Sequence, residues 1–99
     1  MFLRELKIDI NKNIENINLE SLGKRSKLGG SPIWIQNEEN VCCDSCSNQM
    51  SFISQIDSID YSENIDFESK SEYMFGDVGM IYVFFCFDCL ETKSIFQCY

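Results

Sequence analysis

Histidine is absent from this 99-residue chain, and so are several motifs of common enzymes. Without imidazole, no side chain has an ordinary pKa near neutrality, and any metal site must be built from cysteine or carboxylate ligands. The chain has no phosphate-binding glycine loop and no nucleophile motif. We therefore predict that it is not an enzyme and assign no catalytic residue. A site using carboxylates alone is a weaker alternative.

Long hydrophobic runs are also missing. The longest apolar run, Met80 to Phe87, is much shorter than the roughly 18 residues of a membrane span. Near the amino terminus Arg4, Glu5, Lys7 and Asp9 stand where a signal peptide needs an apolar stretch. We expect a cytoplasmic protein that makes no contact with a membrane and whose thiols are kept reduced.

Positive charge is scarce and unevenly placed. The net charge is −8: residues 1–30 carry six basic and four acidic side chains, and residues 31–99 carry two basic and twelve acidic ones. The acidic part would repel phosphate backbones, which disfavours a nucleic-acid partner. We predict that the short basic cluster at residues 23–27 is a solvated loop rather than a nucleic-acid contact.

Hydrophobic residues make up 44% of the chain, enough for one folded domain with a small core that a staple would help. Alternating apolar residues predict strands at residues 33–36, 50–57, 80–86 and 93–99, and a Gly-Gly-Ser-Pro turn precedes the first. In the second, Met50, Phe52, Ser54 and Ile56 alternate on one face and Ile53 lies on the other, so we predict that both faces are partly covered. Residues 1–22 mix strand and helix periods, and both readings stay open.

Two Cys-x-x-Cys pairs, each placed between predicted strands, are the main chemical feature of the sequence. Tight turns at facing hairpin tips would point Cys43, Cys46, Cys86 and Cys89 at one ion, in the tetrahedral geometry that zinc prefers. A single rubredoxin-like iron is an alternative. Redox pairs are disfavoured because no helix pattern follows either pair, and disulfides because we expect reduced thiols. The predicted cofactor is one structural zinc ion.

The predicted fold class is therefore α+β, mainly antiparallel β, with two β-hairpins whose Cys-x-x-Cys turns share one zinc ion, as in a zinc ribbon. Cys42 offers an alternative register in place of Cys43. Cys98 is predicted to be a small buried hydrophobic residue, with a ligating or reactive thiol as the alternative. The aspartates in and near the turns are predicted to accept backbone N–H bonds: Asp44, Asp57, Asp77 and Asp88.

The segment 57–72 is a candidate partner-binding surface. It is strongly acidic and interleaves large apolar residues among its carboxylates. Such a composition suits docking onto a basic protein, and folding of the apolar residues onto the core is the competing explanation. The candidate contact residues are Asp60, Tyr61, Glu63, Asp66, Phe67 and Glu68.

Four sequence blocks, in order, resemble the YwqG-like family of poorly characterised, mostly bacterial proteins. They begin with Gly-Gly-x-Pro-x-Trp-x-Gln and continue through a Cys-x-x-Cys pair, Met-x-Phe-x-x-Gln-Ile-Asp, and Phe-Gly-Asp-x-Gly-x-x-Tyr-x-Phe, with Cys86, Cys89 and Gln97 behind them. The matched residues of the blocks are Lys27, Leu28, Gly29, Gly30, Pro32, Trp34, Gln36, Met50, Phe52, Gln55, Ile56, Asp57, Phe75, Gly76, Asp77, Gly79, Tyr82 and Phe84. Ser47 stands where members often carry glycine. Not every member of the family has the cysteines.

The resemblance implies a mainly β, α+β architecture and a link to bacterial toxin-immunity neighbourhoods, and it brings no established catalytic residue. It covers residues 27–99 of a single domain, with residues 1–26 as a variable segment, and describes a reduced version of longer family members. We expect a zinc-stapled module that binds another protein, of which a toxin-immunity protein is one version. A nucleic-acid-binding zinc ribbon is the alternative.

Overall fold

The computed structural model describes residues 5, 7–10, 25–58 and 79–98. Its centre is one four-stranded sheet in the order β1 (Lys27–Leu28), β2 (Ser51–Asp57), β3 (Gly79–Cys86) and β4 (Glu91–Cys98). Every neighbouring pair is antiparallel. The mainly antiparallel β prediction is thus confirmed. Its helical component is not supported, because the residues described form strands and no α-helix.

The three long strands lie where alternation of apolar residues predicted them. In β3 every second residue from Met80 is buried and the residues between are half-buried, so the strand is covered on one face and partly covered on the other. A tight turn at residues 87–90 joins β3 to β4. The predicted glycine turn is also present and directly follows β1, since Gly29 and Gly30 have φ angles of 79° and 77° that favour glycine.

Both faces of β2 are partly covered, as predicted, but its fully buried residues are polar. Gln55 and Asp57 are buried, whereas Ser54 and Ile56 are only half-buried. The pairing with β3 shifts between Phe52 and Ser54, which is a β-bulge that changes the alternation along the strand. Simple alternation cannot anticipate such a shift, and it assumes that polar residues point outward.

The predicted strand at residues 33–36 is wrong. Among the described residues, this part of the chain pairs with no strand and instead crosses the buried face of the sheet; we call residues 33–37 the crossing segment. Side chains of the sheet bind its backbone: Gln55 Oε1 accepts from Ile33 N–H at 2.9 Å, and Tyr82 Oη accepts from Ile35 N–H at 3.2 Å. Tyr82 also donates to the Ile33 carbonyl at 2.7 Å.

The third anchor of the crossing segment is Gln97 on β4. Its Oε1 accepts from Gln36 N–H at 3.0 Å, and its Nε2 donates to the Asn37 carbonyl at 2.8 Å. Trp34 lies between these anchors and contacts Tyr82, with ring centroids 4.6 Å apart. One side chain from each long strand therefore satisfies backbone groups that a partner strand would otherwise have to satisfy.

The prediction of a solvated basic loop is wrong at Arg25, which is wholly buried. Its Nε lies 3.3 Å from Oδ2 of Asp57, which is also wholly buried at the end of β2. Asp57 is therefore half of a buried ion pair rather than the predicted turn residue. A buried charge requires such a partner, which explains why the basic cluster folds onto the sheet.

Several predictions lie outside the residues that the structure describes. They include the acidic segment from residue 59 onward, with all six candidate contact residues, Asp77, and almost all of the variable segment 1–26. Within the described ranges, no helix has the length and apolar character needed to span a membrane.

Candidate metal centre

Four cysteines from the two Cys-x-x-Cys pairs lie together at one end of the sheet. The Sγ atoms of Cys43, Cys46, Cys86 and Cys89 all lie within 4.8 Å of one another. Cys43 and Cys86 are buried, and Cys46 and Cys89 are half-buried. We call these four residues the thiol cluster. It is the set of cysteines that the sequence predicted to share one ion.

The first turn of the cluster, knuckle 1 (residues 43–47), lies in the connection between β1 and β2. A short ladder closes it: Met50 N–H donates to the Val41 carbonyl and Cys43 N–H to the Asn48 carbonyl, each at 2.8 Å. Only a single bridge, between Cys42 and Gln49, flanks it. The predicted first hairpin is thus reduced to this ladder, because the segment before it crosses the sheet.

The second turn, knuckle 2 (residues 86–90), is the tip of the β3–β4 hairpin. Its backbone repeats that of knuckle 1. Leu90 N–H donates to the Cys86 carbonyl at 2.8 Å, as Ser47 N–H does to the Cys43 carbonyl. Leu90 and Ser47 have φ angles of 60° and 64°, in the left-handed region that residues other than glycine rarely adopt. Two unrelated stretches of sequence therefore form the same turn.

Backbone N–H groups point at the first sulfur of each knuckle. The N–H groups of Cys89 and Asp88 donate to Cys86 Sγ and lower the pKa of Cys86. At Cys43 the N–H groups of Cys46 and Ser45 act in the same direction, but burial and the neighbouring Glu91 and Cys86 outweigh them and raise the pKa. Hydrogen bonds of this kind favour thiolates.

The other thiols oppose further loss of protons when no cation is present. The pKa of Cys89 is raised to about 12 by a hydrogen bond with the Cys46 thiol, by burial, and by the thiols of Cys43 and Cys86. Four negative sulfurs at this spacing would repel one another. A divalent cation at their centre would supply the opposite charge and allow all four to ionise.

Two side chains of β4 reach across to knuckle 1. Glu91 accepts from the Ser45 hydroxyl at 2.5 Å and from the Cys43 thiol at 3.4 Å. Lys93 Nζ lies 3.2 Å from Oδ1 of Asp44 and also donates to the Cys42 carbonyl. Sequence reasoning missed this link. The sequence did contain a signal for it. Glu91 and Lys93 are the second and fourth residues after Cys89, and alternate residues of a strand face the same side.

The remaining cysteines and turn aspartates lie outside the thiol cluster. Cys42 is half-buried in the bridge, and its thiol belongs to no group that could hold a metal among the residues described. Cys98, predicted to be buried, is half-buried, and its carbonyl accepts from Gln36 Nε2. Asp88 is exposed at the hairpin tip, and the exposed Asp44 pairs with Lys93.

The geometry of the cluster fits one tetrahedral ion. Sulfurs held about 2.3 Å from a central zinc ion lie about 3.8 Å from one another. Cys46 Sγ and Cys86 Sγ, which come from different knuckles, are 3.7 Å apart. All four cysteines of the cluster are free thiols. The cluster can therefore hold a metal ion with a small inward movement of its sulfurs, and four thiolates select zinc or iron over harder cations.

The chain is similar to part of the uncharacterized protein YpfL of Salmonella typhimurium (strain LT2). The two are 33% identical over 72 residues, which is 73% of this chain and 15% of YpfL. The chain thus spans about 15% of the length of that curated relative. No protein-family model matches the chain, and no solved structure matches it.

Proposed function

We propose that this chain is a small cytoplasmic domain stapled by one structural zinc ion and that it acts by binding another protein. The observation that carries the metal is the convergence of two knuckles with the same backbone, which bring four sulfurs within 4.8 Å of one another. Repeating one strained turn at two sites is hard to explain without a ligand common to both.

The proposed ion is structural because its four protein ligands would leave no open position. A catalytic zinc keeps one position for water or substrate, and its ligands usually include histidine, which this chain lacks. Two of the carboxylates beside the cluster already have partners: Glu91 binds Ser45, and Asp44 binds Lys93. This supports the prediction that the domain is not an enzyme.

Zinc is proposed over iron because a stapling ion needs no redox chemistry, although both suit four thiolates. The zinc would join knuckle 1 to the sheet. Three of the buried core residues, Val41, Cys43 and Met50, lie in or beside knuckle 1. Without the ion they would depend on a few hydrogen bonds to stay in the core.

The proposed partner is a protein because of the charge around the cluster. A zinc ribbon that binds nucleic acid needs a basic face, but the one described cation near the knuckles, Lys93, already pairs with Asp44. An acidic domain is steered onto a basic protein instead. A toxin-immunity protein, as the YwqG-like resemblance suggests, is one version of this proposal. A toxin gene beside this one would support that version.

The metal is tested by elemental analysis of protein purified without added metal, followed by thermal melts with and without a strong chelator under reducing conditions. We expect about one zinc per chain. Structural zinc binds to small peptides with a free energy of about 10–16 kcal/mol. At about 1 μM free zinc, about 8 kcal/mol of this is offset by the low concentration, so the folded state is stabilised by roughly 2–8 kcal/mol. Chelation should therefore lower Tm by at least about 8 °C.

A cobalt-substituted sample serves as the geometric control, because tetrahedral thiolate coordination gives cobalt intense visible absorption. Protein that is metal-free as purified and melts at the same temperature with and without chelator would refute the zinc proposal. One iron per chain in place of zinc would keep the site and change the identity of the ion.

A further inference from the structure

The two knuckles share a backbone but carry opposite side chains. Knuckle 1 has Asp44 after its first cysteine and Ser47 after its second. At the same two positions, knuckle 2 has Phe87 and Leu90. The difference is not needed for the turn or for the thiol cluster, since knuckle 1 forms both with small polar residues. The apolar residues of knuckle 2 therefore call for another explanation.

Both apolar side chains point into solvent at a cost. Phe87 is 66% exposed and Leu90 is 72% exposed. Leu90 also has a φ angle of 60°, where a side chain of its size is disfavoured. Exposed apolar residues are common singly, but two on one four-residue tip, one of them at a strained position, are typical of a contact surface.

The ring of Phe87 is held in a defined orientation before any partner binds. It meets Phe85 edge to face, with centroids 4.9 Å apart and planes at 88°. Phe85 is fixed in β3 and half-buried. An aromatic side chain that is already oriented loses little conformational entropy on binding, which makes it an efficient anchor.

The surroundings of this tip are acidic. Asp88 lies between the two apolar residues, and Glu91 follows them; both are exposed. Across the cluster is Asp44, and Lys93 is the one described cation close by. Four thiolates around a divalent ion would add further negative charge. The tip thus combines apolar anchors with a negative rim.

We infer that the tip of knuckle 2, Phe87 to Leu90, is the docking surface for a basic protein segment that carries an aliphatic or aromatic side chain. The inference rests on the proposed protein-binding function and specifies the residues that would bind the partner. A second copy of this chain, with a net charge of −8, would bring acid against acid at this tip. Nucleic acids and anionic membranes would meet the same repulsion.

The test is selection from a phage-displayed library of random 12-residue peptides on the zinc-loaded protein. The double variant Phe87→Ser/Leu90→Gly serves for counter-selection, because glycine suits the φ of residue 90. Leu28→Ser is the matched control, since Leu28 is equally exposed, at 71%, but lies on β1. Selected peptides are then synthesised, and their affinities are measured by fluorescence anisotropy.

We expect peptides that combine Lys or Arg with at least one large apolar residue. Their affinity should fall at least about tenfold on the double variant, stay unchanged on Leu28→Ser, and weaken as salt rises. The inference is overturned if no peptide is enriched, if the enriched peptides are neutral or acidic, or if they bind the double variant as well as the wild type. Zinc content is measured on the same samples. If the wild-type protein does not retain zinc, the proposed structural zinc is contradicted. If zinc is retained and the peptides bind the double variant as tightly as the wild type, only the assignment of the tip as the docking surface is contradicted.

Discussion

Removal of the Tyr82 hydroxyl tests whether the sheet holds the crossing segment through side chains. Tyr82 is wholly buried, and burial raises its pKa, so the hydroxyl keeps its proton and both accepts and donates. Its partners are Ile35 N–H at 3.2 Å and the Ile33 carbonyl at 2.7 Å. Tyr82→Phe removes these two bonds but keeps the aromatic ring and its contact with Trp34.

The expected loss follows from these two bonds. Each bond contributes about 1 kcal/mol, and its loss also leaves a half-buried backbone group without that partner. The free energy of unfolding should therefore fall by about 2–3 kcal/mol. For a domain of this size that corresponds to roughly 8–24 °C in Tm. Ser94→Ala, which removes an exposed hydroxyl from β4, is the control and should stay within about 0.5 kcal/mol.

The measurement is urea and thermal unfolding of zinc-loaded protein followed by circular dichroism. A fall of less than about 0.5 kcal/mol in Tyr82→Phe would refute the reasoning, because packing of Trp34 would then suffice to hold the segment. A double-mutant cycle with Gln97→Ala extends the test, since Gln97 binds the next two residues of the segment. If both side chains hold one unit, the two losses should fall short of additivity by about 0.5 kcal/mol or more.

Two further predictions concern the knuckles. The variants Cys43→Ser and Cys89→Ser should lose the zinc and the folded state, whereas Cys42→Ser and Cys98→Ser should keep both. Metal analysis and thermal melts measure these outcomes. Equal loss in Cys98→Ser would make Cys98 a ligand. Leu90→Gly should be neutral or stabilising by up to about 1 kcal/mol, because relief of the left-handed conformation exceeds the added entropy of the unfolded chain. Leu90→Val should destabilise by about 1 kcal/mol, and equal melting of the two variants would contradict the positive φ.

The three long strands and the thiol cluster could be predicted because their signals are local. The alternation in β3 and the two-residue spacing of each cysteine pair are visible within a few residues. The agreement at the cluster also follows from chemistry, since a Cys-x-x-Cys turn leaves little choice about where its sulfurs point. Cys43 rather than Cys42 belongs to the cluster because Cys42 is taken up by the bridge to Gln49.

The buried polar residues could not be predicted because each depends on a partner far away in the sequence. Gln55 and Gln97 look like surface residues until the crossing segment supplies backbone groups for their amides. Arg25 and Asp57, 32 residues apart, look like a loop cation and a turn acid until each is seen to neutralise the other. The alternation of apolar residues carries no information about such pairs.

The crossing segment and the thiol cluster act on one connection, residues 29–50, which joins β1 to β2. A connection of this length without a strand of its own is unusual in a small domain, and ordering it costs entropy. The hydrogen bonds to Gln55, Tyr82 and Gln97 fix its first half. The two knuckles fix its second half, where a metal ion would join it to the β3–β4 hairpin. Release of either half would free part of the layer that covers the sheet. We therefore expect metal affinity and the hydrogen bonds of the crossing segment to be coupled.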